Sequence, residues 1–203
     1  MKSKLFSFLL MWAFLPLASA QEAGPDALVK RLSEEVIAAI RQDKAIQAGD
    51  ADKIAALVEA KILPHFDFRR TTQVAMGVNW RRASADQQER LTSEFKLLLV
   101  RTYSGALASY RDQTIEFKPF RASAGDSEVT VRSQVKQSGA APITIDYAMA
   151  KTASGWEIFD VSIDGISLAA NYRTAFGEEV RNRGVEGLIA LLADKNRRPG
   201  SRL

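Results

Sequence analysis

The residues able to do chemistry in this chain are few and scattered. His65 is the one histidine and there is no cysteine, so neither a zinc site nor a thiol nucleophile can be assembled from the usual ligands. Asp67 follows His65 by two positions, a spacing that puts both side chains on one side of an extended segment. The couple is formally an acid and a base, but Leu-Pro-His-Phe-Asp is also ordinary loop composition, and a structural His65 is the expectation. Gly125, Gly139, Gly155 and Gly165 stand singly between apolar runs, where turns want glycine, so no phosphate-cradling loop is present. Arg69-Arg70 and Arg81-Arg82 bracket Met-Gly-Val-Asn-Trp; paired guanidiniums suit phosphate oxygens, and they equally suit a solvated loop. These residues predict no catalytic, metal or cofactor site and point away from an enzyme.

The elements that would carry these groups follow from periodicity. Lys2 and Lys4 precede a 13-residue apolar run, Leu5–Leu17, and Ala18-Ser19-Ala20 follows. That pattern reads as a signal peptide cleaved after Ala20, because a bilayer span needs about 20 apolar residues. Export places the mature chain, from Gln21, outside the cytoplasm. Residues 21–194 are expected to form a single domain and residues 195–203 a basic flexible tail. The chain has 28 basic and 24 acidic residues; without Lys2, Lys4 and the tail's four cations, 22 face 24. A near-neutral body argues against a nucleic-acid surface.

Apolar positions Leu28, Val29, Leu32, Val36, Ile37 and Ile40 predict an amphipathic helix over 26–48, and Asp50 caps a second that closes before Pro64. Residues 64–82 read as a turn-rich connection. Ser84 and Gln87 form a capping box for a long helix carrying Leu91, Phe95, Leu98, Leu99, Tyr103, Leu107 and Tyr110. The period then changes to two, giving four strands of an antiparallel meander. In the fourth, Trp156 and Ile158 have one parity and Phe159, Val161 and Ile163 the other, so the strand is apolar on both faces or a bulge reverses it. A helix beginning near Ser167 follows, broken at Gly184. Helices segregated from a meander define an α+β fold, with helices packed on a curved four-stranded antiparallel sheet and the long helix facing its apolar side. Periodicity alone does not separate a filled core from a hollow one.

Several stretches taken together resemble one family: Ile62-Leu-Pro-His-Phe-Asp-Phe68, Met76-Gly-Val-Asn-Trp-Arg81, residues 87–103, Gly155-Trp-Glu-Ile-Phe-Asp-Val161, and Asp164-Gly-Ile-Ser-Leu168 through Asn171-Tyr-Arg173, Phe176 and Gly184. Their order and spacing are similar to those of MlaC, the toluene-tolerance family of periplasmic phospholipid-binding proteins. The departures are small: Asp164 stands where Glu is common, and the basic tail is not a family feature.

The resemblance implies a cone related to the nuclear-transport-factor-like fold, with an apolar pocket for phospholipid acyl chains. It implies a monomeric periplasmic carrier without cofactor that supports outer-membrane lipid asymmetry. The implied partners are an outer-membrane lipoprotein–porin complex and an inner-membrane ABC-transporter complex. On this reading Leu99, Tyr103, Leu107, Tyr147, Met149, Trp156, Val161 and Ile163, with Phe95, line the pocket, and Phe68 and Trp80 border it. Gly77, Gly165, Ser167, Tyr172 and Arg173 hold turns and helix ends. The competing readings are a cone-fold enzyme working through Asp160 or Tyr103, an envelope adaptor with a solid core and no ligand, and a binder of quinones or hydrocarbons.

Overall fold

A computed structural model describes residues 24–123 and 125–197. The expected signal peptide and residues 198–203 of the expected tail lie outside the described residues. Pro25, favoured in a first helical turn where no N–H is needed, opens α1 (Pro25–Gln42). Its buried stripe is Leu28, Val29, Leu32, Val36 and Ile40. The single helix expected over 26–48 is interrupted, because the Asp43 carboxylate accepts the N–H groups of Ala45 (2.8 Å) and Ile46 (3.4 Å) and starts α2 (Lys44–Gln47). Asp50 caps α3 (Ala51–Leu57) as its position predicts, accepting from Asp52 and Lys53 at 3.1 Å each.

From Val58 to Ile62 the helix widens into a π turn, then tightens to a 3-10 turn at Leu63–His65. The segment expected to be turn-rich holds a helix, α4 (Phe68–Met76), capped by Asp67 through the Arg70 N–H. A 3-10 turn, Gly77–Arg82, follows it. Both hydrogen bonds of the Ser84–Gln87 capping box are made at the start of α5 (Ala85–Tyr103). The helix ends at Tyr103, short of Tyr110, and α6 (Gly105–Ala108) continues its path.

Five strands, one more than expected, form an antiparallel sheet in sequence order: β1 (Thr114–Phe117), β2 (Glu128–Lys136), β3 (Ile143–Thr152), β4 (Gly155–Ile163) and β5 (Ile166–Ser167). The fifth is a two-residue strand that folds back on β4 through Asp164 and Gly165, both at positive φ. The mixed parity of β4 is resolved by a bulge. Tyr147 pairs with Val161 and Met149 with Ile158, so Phe159 is the extra residue and Trp156, Ile158, Val161 and Ile163 share one face. The outer edge of β4 is covered: Phe66 makes a parallel bridge to Ile158, and the Asp67 N–H donates to the Ile158 carbonyl at 2.9 Å.

The helix on that sheet face is α1, not the long α5. Leu28, Val29 and Leu32 pack with Val131, Met149 and Ile158. The α5 stripe of Leu91, Phe95 and Leu98 instead meets α4 and α7 (Arg173–Arg197), with Phe95 edge-on to Tyr172 and Phe176 at 5.1 Å. Gly184 breaks α7 at φ +71. Lys195, Asn196 and Arg197 are not the start of a loose tail but the last turn of α7. There Asn196 is buried and its amide donates to the Glu94 carbonyl at 2.9 Å, a tether no residue pattern announces.

Candidate functional site

With α1 seated on the sheet and α5 on α7, a gap remains where the C-terminal end of α5 approaches β4. The π turn and the 3-10 turn supply Val58, Ile62 and Leu63 as one wall, and Phe66, Phe68 and Thr71 a second. Leu99, Val100, Tyr103 and Ser104 of α5 with Leu107 of α6 form the third, and Asp160, Val161, Leu168 and Ala169 close the cavity. It is partly open, has a volume of about 170 Å³, and its surface is almost wholly hydrocarbon. Phe66 and Phe68 stack across their wall with ring centres 5.5 Å apart. A π turn inserts a residue into the helical ladder and is a common mark of functional sites; here it turns apolar side chains toward the cavity.

The polar atoms at the cavity are already engaged. The Thr71 hydroxyl lies 2.9 Å from the carbonyls of both Asp67 and Phe159 and shares its one proton between them. One Asp160 oxygen accepts the N–H groups of Val161 (2.9 Å) and Ala169 (3.2 Å); the other accepts the Ser167 hydroxyl. Ser167 in turn accepts from the Ala170 N–H at 2.8 Å, and the Leu168 N–H donates to Val161 at 2.8 Å. This clasp ties β4 to the loop that holds Leu168 and Ala169 in the wall.

Tyr103 is pushed up to about 12 by burial, with the Tyr172 hydroxyl beside it, so its phenol stays protonated. Burial likewise raises Tyr147. His65 is pushed below its ordinary value, first by burial and then by Arg31. Asp67, the partner proposed for it, is spent as the cap of α4. Neither an available base nor an activated nucleophile faces the cavity. Among the described residues no cluster of His, Cys, Asp or Glu has metal-holding geometry, and no helix is long and apolar enough to cross a membrane.

Of the eleven side chains expected at a pocket, Phe68, Leu99, Tyr103, Leu107 and Val161 line this cavity. Phe95 is fully buried and Trp80 nearly so, both in the cluster between α4, α5 and α7. Met149, Tyr147 and Trp156 pack under α1, and Ile163, two residues beyond Val161 on its face, does not reach the cavity. Tyr147, Met149 and Trp156 lie away from this cavity because α1, not α5, covers the sheet face that carries them, and Phe95 and Trp80 because α4 and α7 pack on that stretch of α5. Val58, Ile62, Leu63 and Phe66 were missed because the turns carrying them have no regular period.

Fold and site define an α+β protein with a partly open apolar cavity between its helices and sheet, whose polar groups are used for structure. Residues 30–194 match the family model described as MlaC protein, and the chain belongs to the MlaC family. It is similar to the intermembrane phospholipid transport system binding protein MlaC of Haemophilus influenzae, 22% identical over 191 residues, covering 92% of this chain and 89% of that protein. It is also similar to the toluene tolerance protein ttg2D of Pseudomonas putida, 22% identical over 177 residues, covering 87% and 82%. A phospholipid-binding protein from Ralstonia solanacearum, solved in complex with a phospholipid, superposes with a TM-score of 0.80 at 41% identity, covering 89% of this chain and 100% of that one.

Proposed function

We propose that this chain is a periplasmic phospholipid carrier, not an enzyme, that shields acyl chains in the cavity between α5 and β4 and needs no cofactor. The observation that carries the reading is the hydrocarbon lining contributed by Phe68, Leu99, Tyr103, Leu107 and Val161, in a fold shared with a protein solved with a phospholipid. Each methylene removed from water contributes about 0.8 kcal/mol, so two long acyl chains do not cross an aqueous space unaided at useful rates. Between a bilayer and an apolar cavity, however, the same chains gain or lose little. Lipid can then pass either way, and direction is set by partners: an outer-membrane lipoprotein–porin complex on one side and an inner-membrane ABC-transporter complex on the other, which together maintain outer-membrane asymmetry.

At about 170 Å³ the cavity is smaller than the roughly 300–1,000 Å³ of sites for drug-sized ligands. A two-chain occupant therefore enters by parting the walls. The short π, 3-10 and α6 segments are the ones that give way, since the wall from β4 is fixed by the Asp160 clasp and the sheet. Leu99→Asp or Val161→Asp sets a carboxylate in hydrocarbon surroundings; each variant, shown folded by circular dichroism, is expected to lose most of its co-purifying phospholipid. Full lipid content in both folded variants would remove the cavity from the proposal.

A further inference from the structure

The second concave feature lies on the opposite side of α4 from the cavity. Phe68 and Thr71 face the cavity, whereas Arg69, Arg70, Gln73 and Val74 line an open groove of about 640 Å³ completed by the Gly77–Arg82 turn, Phe159 and Arg173. The two share no lining residue. Four guanidiniums converge on the groove, and two of them, Arg69 and Arg173, are held in place without being neutralised. Arg69 lies over the Trp80 ring at 5.2 Å and donates to the neutral Gln88 amide. Arg173 grips the Val74 carbonyl through Nε (3.1 Å) and Nη2 (2.9 Å), packed against Gly77, where a Cβ would meet Arg173 Cδ at 3.3 Å. Arg81 makes no hydrogen bond or ion pair among the described residues. Only Arg70 has a carboxylate partner, Glu128 at 2.6 Å, while it lies over Phe159 at 3.9 Å. Asp67 also lines the groove and caps α4 through one oxygen, so the lining carries four guanidiniums and one carboxylate.

In a chain whose body carries no excess of positive charge, such a cluster is a local feature rather than the general surface. Arginine is enriched at interface hot spots, and a guanidinium already held, as Arg69 is by Trp80 and Gln88 and Arg173 by the Val74 carbonyl, loses less freedom on binding. Val78 stands on the groove's rim at 82% exposure, the most exposed large apolar side chain among the described residues. We infer that this groove docks an acidic, protruding segment of a partner protein, whose carboxylates pair with Arg69, Arg81 and Arg173 while an apolar residue covers Val78. A concave site suits a projecting segment better than a flat bilayer surface, whose phosphates do not reach into it. The inference does not depend on what the cavity holds.

The test is fluorescence anisotropy of a labelled glutamate-rich peptide with a central leucine, titrated with the full mature chain and with variants. Arg81→Glu and Val78→Asp alter exposed side chains and leave the fold intact. Each is expected to weaken binding by about tenfold or more, Arg121→Glu, an exposed residue that does not line the groove, is expected to change it less than about twofold, and added salt is expected to weaken the native chain's binding. Equal weakening by Arg121→Glu, no effect of Arg81→Glu, or no binding at millimolar peptide would overturn the inference. Co-sedimentation with phosphatidylglycerol vesicles is the parallel measurement; binding there that is lost on Arg81→Glu, with none to the peptide, would assign the groove to membranes instead.

Discussion

Asp160→Ala is the most informative single change, because one carboxylate holds a wall of the cavity to the sheet. The substitution removes three accepted hydrogen bonds, from the Val161 and Ala169 N–H groups and the Ser167 hydroxyl. It leaves two partly buried backbone donors without a partner. Hydrogen bonds to a charged group contribute about 1.5–3 kcal/mol each in isolation, but a shared acceptor and partial exposure make them less than additive, so the expected cost is on the order of 3 kcal/mol. For a chain of this length each kcal/mol moves the melting temperature by about 2–4 °C, which places the drop at roughly 6–12 °C. Thermal unfolding followed by far-ultraviolet circular dichroism measures it.

Ser167→Ala breaks one arm of the same clasp, so the double variant should cost less than the sum of the two single changes. Freed from β4, Leu168 and Ala169 no longer hold the wall, and co-purified lipid should fall as well. A melt lowered by less than about 2 °C, with the two substitutions strictly additive, would refute the clasp as the element that fixes this wall.

Two further outcomes follow from other parts of the molecule. His65 is held below its ordinary value of 6.5, so between the folded and unfolded values the unfolded chain binds more protons. Its contribution to stability is then complete above pH 6.5 and is lost as pH falls toward the depressed folded value. His65→Gln should flatten that part of the stability profile, as read by urea denaturation across the acidic range; an unchanged slope would show that His65 is not its source. Ser84→Ala removes the capping box of α5 and should cost about 1 kcal/mol in urea midpoint analysis, with no change in lipid content, since the cavity lies at the other end of that helix.

The parts of the fold visible in the sequence are those fixed by local chemistry. The capping box at Ser84, the Asp50 cap and the break at Gly184 all stand where residue types alone put them, and of the two readings that the parity of β4 left open, two apolar faces or a bulge, the structure has the bulge. Helix α4 was not visible, because it is short and its buried stripe is Thr71, Thr72, Ala75 and Met76 rather than a repeat of large apolar residues, although Arg69, Arg70, Gln73, Ala75 and Met76 are good helix formers. For the site, Leu99, Tyr103 and Leu107 could be read from one helical face, and Val161 from its strand. Which helix would cover the sheet could not be read. The α1 and α5 stripes are both adequate, and the choice depends on long-range packing with α7. That choice moved Tyr147, Met149 and Trp156 from the expected pocket into the core beneath α1. The hydrocarbon wall from Val58 to Phe66 escaped notice for a related reason, since a π turn followed by a 3-10 turn matches neither helical nor strand periodicity.

Native mass spectrometry of the mature chain, purified from periplasm without detergent, addresses the carrier reading most directly. The account predicts a stoichiometric adduct that fragments to a phospholipid and is absent from folded Val161→Asp protein. A bare chain, or an adduct retained in that variant, would contradict it.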